Sequence, residues 1–363
     1  MRVMEVVLSL DIGGQERLLV RMAQELYERG HDVHVITLTA GGTLRGELGK
    51  IPVHDVTRRP GFDATLYPRL WKLFRSVRPD VVHTHNAVPL EYAAPAARVA
   101  RVPSIVHTKH GHITYSKVSL QLARAASRSV DHFVAVSADT AITAENNEHP
   151  PKKRLSVIEN GIPLAKFARD LAARSEVRRE LGIPESARVV GSVGRLVEEK
   201  DYPLLVRAMA PLLGEAVRLV IVGEGIVRHA IEAAIAELPE ASRRFVTLTG
   251  ARSDVPRALS TFDIYVSSSR AEGLPLALAE AMASSLPIVA TAVGGVPDIV
   301  PAEIGDLVPH GDPAALRAPI QRLLGDAAAR ASMGEAARRY ALGRFAQDRM
   351  VDRYLALYGD KRR

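Results

Sequence analysis

Two acidic residues, Glu272 and Glu280, stand eight positions apart in the stretch EGLPLALAE. The first follows FDIYVSSS, which is typical of a buried strand. The second lies in an alanine- and leucine-rich run that reads as a helix with Pro275 in its first turn. The N–H groups of Gly273 and Leu274 would lie at the positive end of that helix, where they favour an anion. A phosphate flanked by two hydroxylated rings, each held by one carboxylate, has the shape of a nucleotide-sugar.

Two cations in the stretch GRLVEEKDYPLL offer a counterpart to this anion site. Arg195 comes directly after a predicted strand, and Lys200 lies in the loop that follows. An arginine fork beside a mobile ammonium suits a diphosphate. The competing interpretation is surface charge paired with the two intervening glutamates, with Glu272 as a helix cap and Glu280 as an exposed acid. The joint occurrence of all four residues favours the ligand site.

Glycines follow several of the predicted strands and permit close approach of the backbone. The candidate binding positions at these strand ends are Gly14, Gly223, Gly225, Gly250 and Arg252. Backbone groups from Gly250 to Arg252 could bracket a flat base. The alternative is an ordinary strand-to-helix turn at each place. The third glycine of a dinucleotide-binding loop is missing, which disfavours a nicotinamide cofactor.

Five histidines end two predicted strands: His83, His85, His107, His110 and His112. Imidazoles gathered at strand ends could bind a metal, but this spacing is not diagnostic of one. We therefore interpret three or more of them as hydrogen-bonded structural histidines and predict no metal site. His83 and His85 should point to the same face of their strand. We place His110 at the substrate, as a donor to a substrate oxygen.

The segments that must position these residues alternate between strand-length apolar runs and amphipathic runs, which predicts parallel sheets covered by helices. The pattern restarts after residue 162, so the fold class is α/β with two Rossmann-like domains. We predict an N-terminal domain of residues 1–165, with a last helix of about 345–363 packing back on it, and a C-terminal domain of residues 166–344. Ligands of such sheets bind beyond the carboxyl ends of the strands, so both domains should face a central cleft.

Charge and composition limit the classes of partner. Lys and Arg outnumber Asp and Glu by 23 to 16 in residues 1–169, whereas the remaining residues contain 25 of each. The basic first half is either scattered solvated charge or a surface for an anionic acceptor or lipid. Aromatic residues form 5% of the chain and no nucleic-acid motif is present, so we predict no nucleic-acid binding. The chain has no cysteine and no apolar run of membrane-spanning length, which indicates a cytoplasmic protein with at most peripheral membrane contact.

The sequence resembles the retaining glycosyltransferases of the GT-B fold, family four. The resemblance extends over nearly the whole chain and is carried by GGQERLLVRMAQELYERGHDVHVIT, VHTHN, HTKHG, VIENGI, VGRLVEEKDY and, above all, EGLPLALAEAMASSLPIVATAVGGVPDIV. It implies that Arg195 and Lys200 bind the donor diphosphate, that Gly14 approaches the phosphate and that Glu280 binds the ribose. It also implies that Glu272 binds the donor sugar with help from the backbone of Gly273 and Leu274. His110 would contact the donor sugar as well.

The resemblance also implies an activity. The enzyme would move a sugar from a UDP- or GDP-sugar to a glycan, lipid-linked or small-molecule acceptor, without a required metal or cofactor, in polysaccharide or glycoconjugate synthesis. It would work in the cytoplasm, at the inner face of the membrane if the basic half binds lipid. Asp201 and Ser285 stand where this family commonly has glycine, and Pro163 where an acid is frequent, which leaves the detail of the donor loops open.

Four other functions remain open from the sequence. A sugar phosphorylase or a sugar-nucleotide epimerase would use the same scaffold, although the complete pair of glutamates disfavours the epimerase. A non-catalytic partner subunit could keep the scaffold without turnover. A nicotinamide-dependent oxidoreductase is the remaining alternative, and the incomplete glycine loops count against it.

Overall fold

Two separate parallel sheets organise the chain. The computed structural model describes residues 1–11, 13–111 and 115–359, so His112 lies outside the described residues. One unit comprises Met1–Gly161 together with the C-terminal helix from Gln347, and the other comprises Ile162–Ala346. These boundaries differ by a few residues from the predicted ones. The reason is a parallel bridge between Ile162 and Ala346, the residues at which the chain enters and leaves the second unit. This bridge keeps both residues side by side in that unit.

The first unit contains seven strands in its described residues, ordered β3-β2-β1-β4-β5-β6-β7, and every pairing is parallel. The strands are β1 Arg2–Val7, β2 Asp32–Thr37, β3 Val53–Asp55, β4 Val81–His85, β5 Ser104–Lys109, β6 His132–Ala135 and β7 Leu155–Val157. The three-residue β3 is the one that the apolar runs did not predict. The strand order reverses between β1 and β4.

Helices cover this sheet: α1 Gly14–Glu28, α2 Leu66–Val77, α3 Ala87–Val99, α4 Lys117–Ser127, α5 Ala138–Asn147 and the C-terminal α14 Gln347–Gly359. The amphipathic spacing of α1 buries Leu18, Leu19, Met22 and Leu26 against the sheet. The helix ends where Gly30 adopts a left-handed conformation with φ of 82°, which glycine allows without strain.

The second unit contains a six-stranded sheet in the order β10-β9-β8-β11-β12-β13. Its strands are β8 Arg188–Val193, β9 Val217–Val222, β10 Val246–Leu248, β11 Ile264–Ser267, β12 Ile288–Thr291 and β13 Gly305–Val308. Its helices are α6 Leu171–Glu180, α7 Tyr202–Met209, α8 Arg228–Ala236, α9 Glu240–Arg243, α10 Val255–Ser260, α11 Leu276–Ala283, α12 Pro313–Gly325 and α13 Ala327–Arg344. None of the described helices combines the length and the hydrophobicity needed to cross a bilayer. The prediction of an α/β fold with two Rossmann-like domains is confirmed.

A buried ionic cluster ties α6 to the start of β11. Asp263 accepts hydrogen bonds from Arg174 at 2.8 Å, from Arg178 at 2.9 Å and from the backbone N–H of Val189 at 2.8 Å. Arg178 is fully buried. A charge taken out of water is tolerated only when it is paired, so Asp263 compensates the guanidinium that α6 buries.

We predict that Asp263→Ala lowers the free energy of unfolding of the second unit by roughly 3–5 kcal/mol, because Arg178 is left buried without its counter-charge. Urea denaturation followed by circular dichroism would measure the loss. Asp306→Ala is the matched control, because Asp306 pairs with Arg322 at the surface and such pairs are worth about 0–1 kcal/mol. Equal effects of the two substitutions would contradict the assignment.

Candidate active site

The centre of the second sheet is where its candidate site residues converge. The strand order reverses between β8 and β11, and ligands of such sheets bind beyond the carboxyl ends at that point. The loops after these two strands touch. The backbone N–H of Arg270 donates to the carbonyl of Glu199 at 2.7 Å, and the Ser268 hydroxyl donates to the carbonyl of Lys200 at 2.9 Å. Each loop therefore holds the other in place.

An ion pair between Lys200 and Glu272 lies at this junction. The Lys200 Nζ and the Glu272 Oε1 are 2.5 Å apart, although the residues are 72 positions apart in sequence. The same oxygen accepts a hydrogen bond from the Ser269 hydroxyl at 2.6 Å. The Lys200 side chain keeps 22% of its surface exposed, so the ammonium is accessible from one side. Ser269 was not predicted, and the only signal for it was the serine run that precedes Arg270.

Arg195 sits directly after β8 with its side chain exposed. It forms no ion pair with any residue in the part of the chain that the structure describes. Lys200 pairs with Glu272 and not with the intervening glutamates, so the pairing that the surface-charge interpretation supposes is absent for both cations, and their contact with a ligand stays a prediction. A guanidinium with its donors available, beside an ammonium, can bind an anion with several oxygens.

Helix α11 begins at Leu276, one residue after Pro275, which caps it in an extended conformation. Gly273 is half-buried and Leu274 is buried in the loop that leads to this helix. Glu280 lies in the middle of the helix and is 8% exposed. The alternative interpretation of Glu280 as an exposed acid is therefore wrong, and its burial in an apolar helix favours a specific role for the carboxylate.

Three glycines let the neighbouring loops pack closely. A Cβ at Gly223 would lie 1.9 Å from the carbonyl oxygen of Gly194, and one at Gly225 would lie 2.2 Å from that of Leu196. The N–H of Gly223 donates to the carbonyl of Gly250 at 2.9 Å. The close approach that the sequence suggested at Gly223 and Gly225 is thus an approach to neighbouring backbone, and contact of these glycines with a ligand stays a prediction.

The Arg252 side chain is occupied by carboxylates. Its guanidinium donates to Asp254 at 2.8 Å and to Glu180 at 2.6 Å, and these hydrogen bonds raise its pKa. The Arg252 guanidinium is therefore not available to a base, whereas the backbone near Gly250 and Arg252 is. Bracketing of a base by this backbone is the role that the sequence suggested, and it stays a prediction.

Asp201 follows Lys200 in the sequence and contributes to the same junction of loops. Its φ of 41° is left-handed, which explains why glycine suits this position. Its carboxylate accepts hydrogen bonds from Arg270 at 3.0 Å and from His310 at 2.8 Å. Burial raises the pKa of Asp201, but the hydrogen bonds from Arg270 and His310 outweigh it, so the pKa lies below the ordinary 3.8. Ser285 is left-handed too, with φ of 58°.

The first unit gathers its candidate residues at the corresponding reversal, between β1 and β4. Asn86, which the sequence analysis did not single out, accepts a hydrogen bond from the backbone N–H of His110 at 2.9 Å and donates to the side chain of Gln15. Gly14 is the first residue of α1. The Glu16 carboxylate folds back over the start of this helix, since a Cβ at Gly13 would lie 2.1 Å from it. A phosphate at Gly14 would have to displace this carboxylate, and the contact stays a prediction.

The four described histidines at the ends of β4 and β5 are hydrogen-bonded, as predicted for most of them. Their closest partners are Thr108 for His83 at 2.7 Å, Glu5 for His85 at 2.7 Å, Thr84 for His107 at 2.9 Å and His85 for His110 at 2.9 Å. The rings of His83 and His85 are 4.1 Å apart, which confirms that they share a face. Neither Glu5 nor Tyr358 is among the candidate residues that the sequence suggested.

Glu5, His83 and His85 are close enough to suggest a metal site. The Glu5 Oε2 lies 2.7 Å from the His85 Nε2 and 3.2 Å from the His83 Nδ1. Ligand atoms around a tetrahedral zinc ion with bonds of ~2.0–2.1 Å would lie ~3.3–3.4 Å apart. The observed spacings are those of hydrogen bonds, so these side chains form a hydrogen-bond network as they stand.

Burial controls the charges of this network. Burial raises the pKa of Glu5, but attraction to His83 and hydrogen bonds from His83 and His85 lower it to about 2. Burial and the neighbouring His83 lower the pKa of His85 to about 4. Burial, followed by the nearby His85, holds the pKa of His110 well below 6.5. At neutral pH, Glu5 is therefore ionised, and His85 and His110 are uncharged.

Two family models match the chain: Glycosyltransferase Family 4 over residues 12–166, and Glycosyl transferases group 1 over residues 173–340. A D-inositol 3-phosphate glycosyltransferase of Salinispora arenicola is 32% identical over 77% of this chain and 68% of its own length. The chain belongs to the family-four glycosyltransferases. An N-acetyl-alpha-D-glucosaminyl L-malate synthase of Bacillus anthracis is 27% identical to this glycosyltransferase over 96% of the chain and 94% of its own.

Solved structures show the same GT-B fold. Anabaena HepE in complex with UDP superposes on this glycosyltransferase with a TM-score of 0.86, at 23% identity, covering 98% of this chain and 99% of its own. WaaG, a glycosyltransferase involved in lipopolysaccharide biosynthesis, superposes with a TM-score of 0.79 at 20% identity, covering 99% and 100%. The enzyme is a transferase of the hexosyltransferase type, which excludes the oxidoreductase alternative.

We predict that Asp201→Asn destabilises the glycosyltransferase most at neutral pH. Because the pKa of Asp201 is lower in the folded than in the unfolded protein, its contribution is complete above about 3.8 and is lost as the pH falls below that value. Urea denaturation at pH 7 and at successively lower pH would show the gap between wild type and variant narrowing. Asp298→Asn, at an exposed carboxylate, is the control. A gap that stays constant down to pH 3 would contradict the prediction.

Proposed function

We propose that this glycosyltransferase moves a hexosyl group from a UDP- or GDP-sugar to a hydroxyl of a glycan, lipid-linked or small-molecule acceptor, with retention of the anomeric configuration. The observation that carries the proposal is the Lys200–Glu272 ion pair at the strand reversal, with the exposed Arg195 in the adjoining loop. This arrangement supplies cations for a diphosphate and a carboxylate for a sugar hydroxyl at one place.

The resting ion pair suggests how the donor is received. When a diphosphate enters, the Lys200 ammonium can turn from Glu272 to a phosphate oxygen, and Arg195 can add a fork of donors. The released Glu272 carboxylate then accepts hydrogen bonds from the sugar, while Ser269 keeps it oriented from 2.6 Å. Lys200 and Glu272 are thus already paired in the protein, which reduces the cost of holding these two charges there.

Cleavage of the donor places positive charge on the anomeric carbon and negative charge on the departing phosphate. Lys200, Arg195 and the N-terminus of α11 stabilise the phosphate, a task suited to preorganised donors. These groups provide the required positive charge from the chain itself, and we propose that no bound metal is needed.

For retention we propose attack from the face that the phosphate leaves. The bond between the anomeric carbon and the phosphate oxygen breaks, a bond to the acceptor oxygen forms on the same face, and the acceptor proton passes to the phosphate. Glu272 already accepts two hydrogen bonds on Oε1. This favours a role in holding the sugar over a role as a nucleophile of the glycosidase type.

The relatives differ in their donors, so they support the class of donor and not its base. One is a UDP-Gal:alpha-D-GlcNAc-diphosphoundecaprenol alpha-1,3-galactosyltransferase of Escherichia coli, and another is a GDP-mannose-dependent alpha-mannosyltransferase of Mycobacterium tuberculosis. The names of the relatives point to lipid-linked, polysaccharide and small-molecule acceptors. Because lipid-linked and polysaccharide acceptors are among them, we propose such an acceptor here, with the enzyme acting at the inner face of the membrane.

A screen of nucleotides by isothermal titration calorimetry, with and without EDTA, tests the donor site, and release of nucleotide in the presence of acceptor tests transfer. We predict that UDP or GDP binds in EDTA and that Lys200→Ala weakens this binding about tenfold or more, since a charged hydrogen bond contributes ~1.5–3 kcal/mol.

Lys166→Ala is the control for this experiment, because Lys166 is an exposed lysine of the same unit. An unchanged dissociation constant for Lys200→Ala would remove Lys200 from the site. A requirement for magnesium would contradict the metal-free mechanism. No binding of any nucleotide would favour the non-catalytic partner subunit.

Helix α2 is the best candidate for membrane contact in the basic first unit. Its buried side carries Leu66, Leu70 and Phe74, while Trp71, Lys72, Arg75 and the following Arg78 are exposed. An exposed tryptophan among cations suits the surface of an anionic bilayer. In this proposal, the cations of α2 bind the membrane surface and are not scattered solvated charge.

We predict that Lys72→Glu combined with Arg75→Glu reduces co-sedimentation with vesicles of phosphatidylglycerol by about tenfold or more, since each cation near such a surface contributes ~1 kcal/mol. Lys166→Glu combined with Arg207→Glu changes the net charge equally at exposed positions of the second unit, and we expect it to bind like wild type. An equal loss in both variants would indicate unspecific attraction and contradict the assignment to α2.

A further inference from the structure

A carboxylate in the middle of a buried strand is the least expected feature of the first unit. Glu5 lies within β1 between strands β2 and β4 and is fully buried. A lone ionised carboxylate in such a place is costly. The proposed transfer reaction does not use Glu5 directly, so its retention in the strand calls for a different explanation.

The hydrogen bonds that connect Glu5 to His85 and His85 to His110 have a fixed direction. An ionised carboxylate only accepts, so the His85 Nε2, 2.7 Å from the Glu5 Oε2, must carry a proton. An uncharged imidazole carries one proton only, and the His85 Nδ1 is therefore an acceptor. It lies 2.9 Å from the His110 Nε2, which must donate. The remaining nitrogen of His110, Nδ1, is left with a lone pair.

The His110 Nδ1 is shielded from solvent and has no hydrogen-bond partner within residues 1–11, 13–111 and 115–359. Buried polar atoms of native proteins are nearly always paired, so an unpaired one calls for an explanation. His110 is also held by its backbone, since its N–H donates to the Asn86 Oδ1 at 2.9 Å. The ring is fixed in position and presents an acceptor without a donor.

The other oxygen of Glu5 is occupied from a different direction. The Tyr358 hydroxyl of α14 donates to the Glu5 Oε1 at 3.2 Å and lies 2.8 Å from the His83 Nδ1. The Thr108 hydroxyl lies 2.7 Å from the His83 Nε2 and 3.0 Å from the Tyr354 hydroxyl. These contacts prevent the carboxylate from rotating and hold Oε2, which also lies 3.2 Å from the His83 Nδ1, within 2.7 Å of the His85 Nε2.

We propose that Glu5, acting through His85, is a positioning residue that fixes the His110 Nδ1 as a hydrogen-bond acceptor and so selects a hydroxyl group on the donor sugar. This rests on the proposed function, and on the contact between His110 and the donor sugar that the family resemblance implies. It reverses the expectation from the sequence that His110 donates to a substrate oxygen. A hydroxyl can donate to this nitrogen, whereas a fluorine or a carboxylate at the same carbon offers only lone pairs.

The tautomer is tested first, without substrate. In protein labelled with ¹⁵N-histidine, a long-range ¹H–¹⁵N spectrum distinguishes a protonated ring nitrogen from an unprotonated one, and His110→Ala identifies the His110 signals. We expect the His110 Nε2 to be protonated and its Nδ1 to be unprotonated in the wild-type enzyme. A protonated Nδ1 in the wild type would overturn the proposal, whatever the variants do.

Variants then test Glu5. Glu5→Leu removes the acceptor for the His85 Nε2, and we expect the His110 signals to change to a mixture of tautomers. Glu5→Gln keeps a carbonyl that can accept the same proton and should retain the wild-type pattern. Glu91→Gln is the control, because Glu91 is a buried carboxylate of the same unit that accepts from Ser119. A wild-type pattern in a folded Glu5→Leu enzyme would overturn the role of Glu5.

Donor analogues test the selection of the hydroxyl. For the accepted donor, analogues with one hydroxyl replaced by hydrogen or by fluorine are compared at each carbon of the sugar. The relevant carbon is the one at which the deoxy analogue lowers kcat/KM in the wild type but not in His110→Ala. At that carbon we expect both analogues to lower kcat/KM about tenfold or more in the wild type, with the fluoro sugar no better than the deoxy sugar. In Glu5→Leu the fluoro sugar should become the better of the two.

These measurements separate the failure of the proposal from that of the proposed function. A fluoro sugar that exceeds the deoxy sugar about threefold or more in the wild type would show that His110 donates, and would overturn the proposal although transfer occurs. Absence of transfer from every nucleotide-sugar would overturn the proposed function, and the spectrum would still decide whether Glu5 sets the tautomer of His110.

Discussion

The parallel pairing of strands that are distant in sequence is the constraint on which the candidate residues of each unit depend. β8 pairs with β11 and β1 pairs with β4, so loops that are separated by roughly 70–80 residues of chain end beside each other. Side chains that the chain could not otherwise bring together, such as Lys200 and Glu272, meet because backbone hydrogen bonds have already aligned their strands. The glycines beside these strand ends allow the adjoining backbones to touch.

Charges buried next to these strand ends are paired within their own unit. Lys109 and Glu148 are each 1% exposed and pair with each other, and Asp263 serves two arginines. Pairing offsets the cost of desolvation and also fixes geometry, because a buried ion pair cannot rearrange without exposing one charge. The candidate site uses a similar device, because Glu272 is held by a lysine and a serine.

The sequence was sufficient to predict the fold class, most strands and the convergence of Lys200 with Glu272, because hydrophobic periodicity and the residues that follow strands are local signals. It was insufficient for Glu5, Asn86, Tyr358 and His310, whose importance lies in partners tens to hundreds of positions away. The glycines at strand ends could be identified from the sequence, but the atoms that lie closest to Gly223 and Gly225 proved to be neighbouring backbone. The direction of the hydrogen bonds at His110 depends on an acid 105 positions earlier and could not be read from spacing.

The first unit is interrupted in sequence by the whole of the second, and α14 returns to it at the end of the chain. Tyr358 reaches Glu5 across 353 positions, and Gln347 and Asp352 bind Glu25 and Arg29 of α1. A ribosome has therefore to make the whole of the second unit before the first sheet receives α14. During synthesis the early strands form with Glu5 only partly satisfied, and the hydrogen-bond network is completed only after the second unit has been translated.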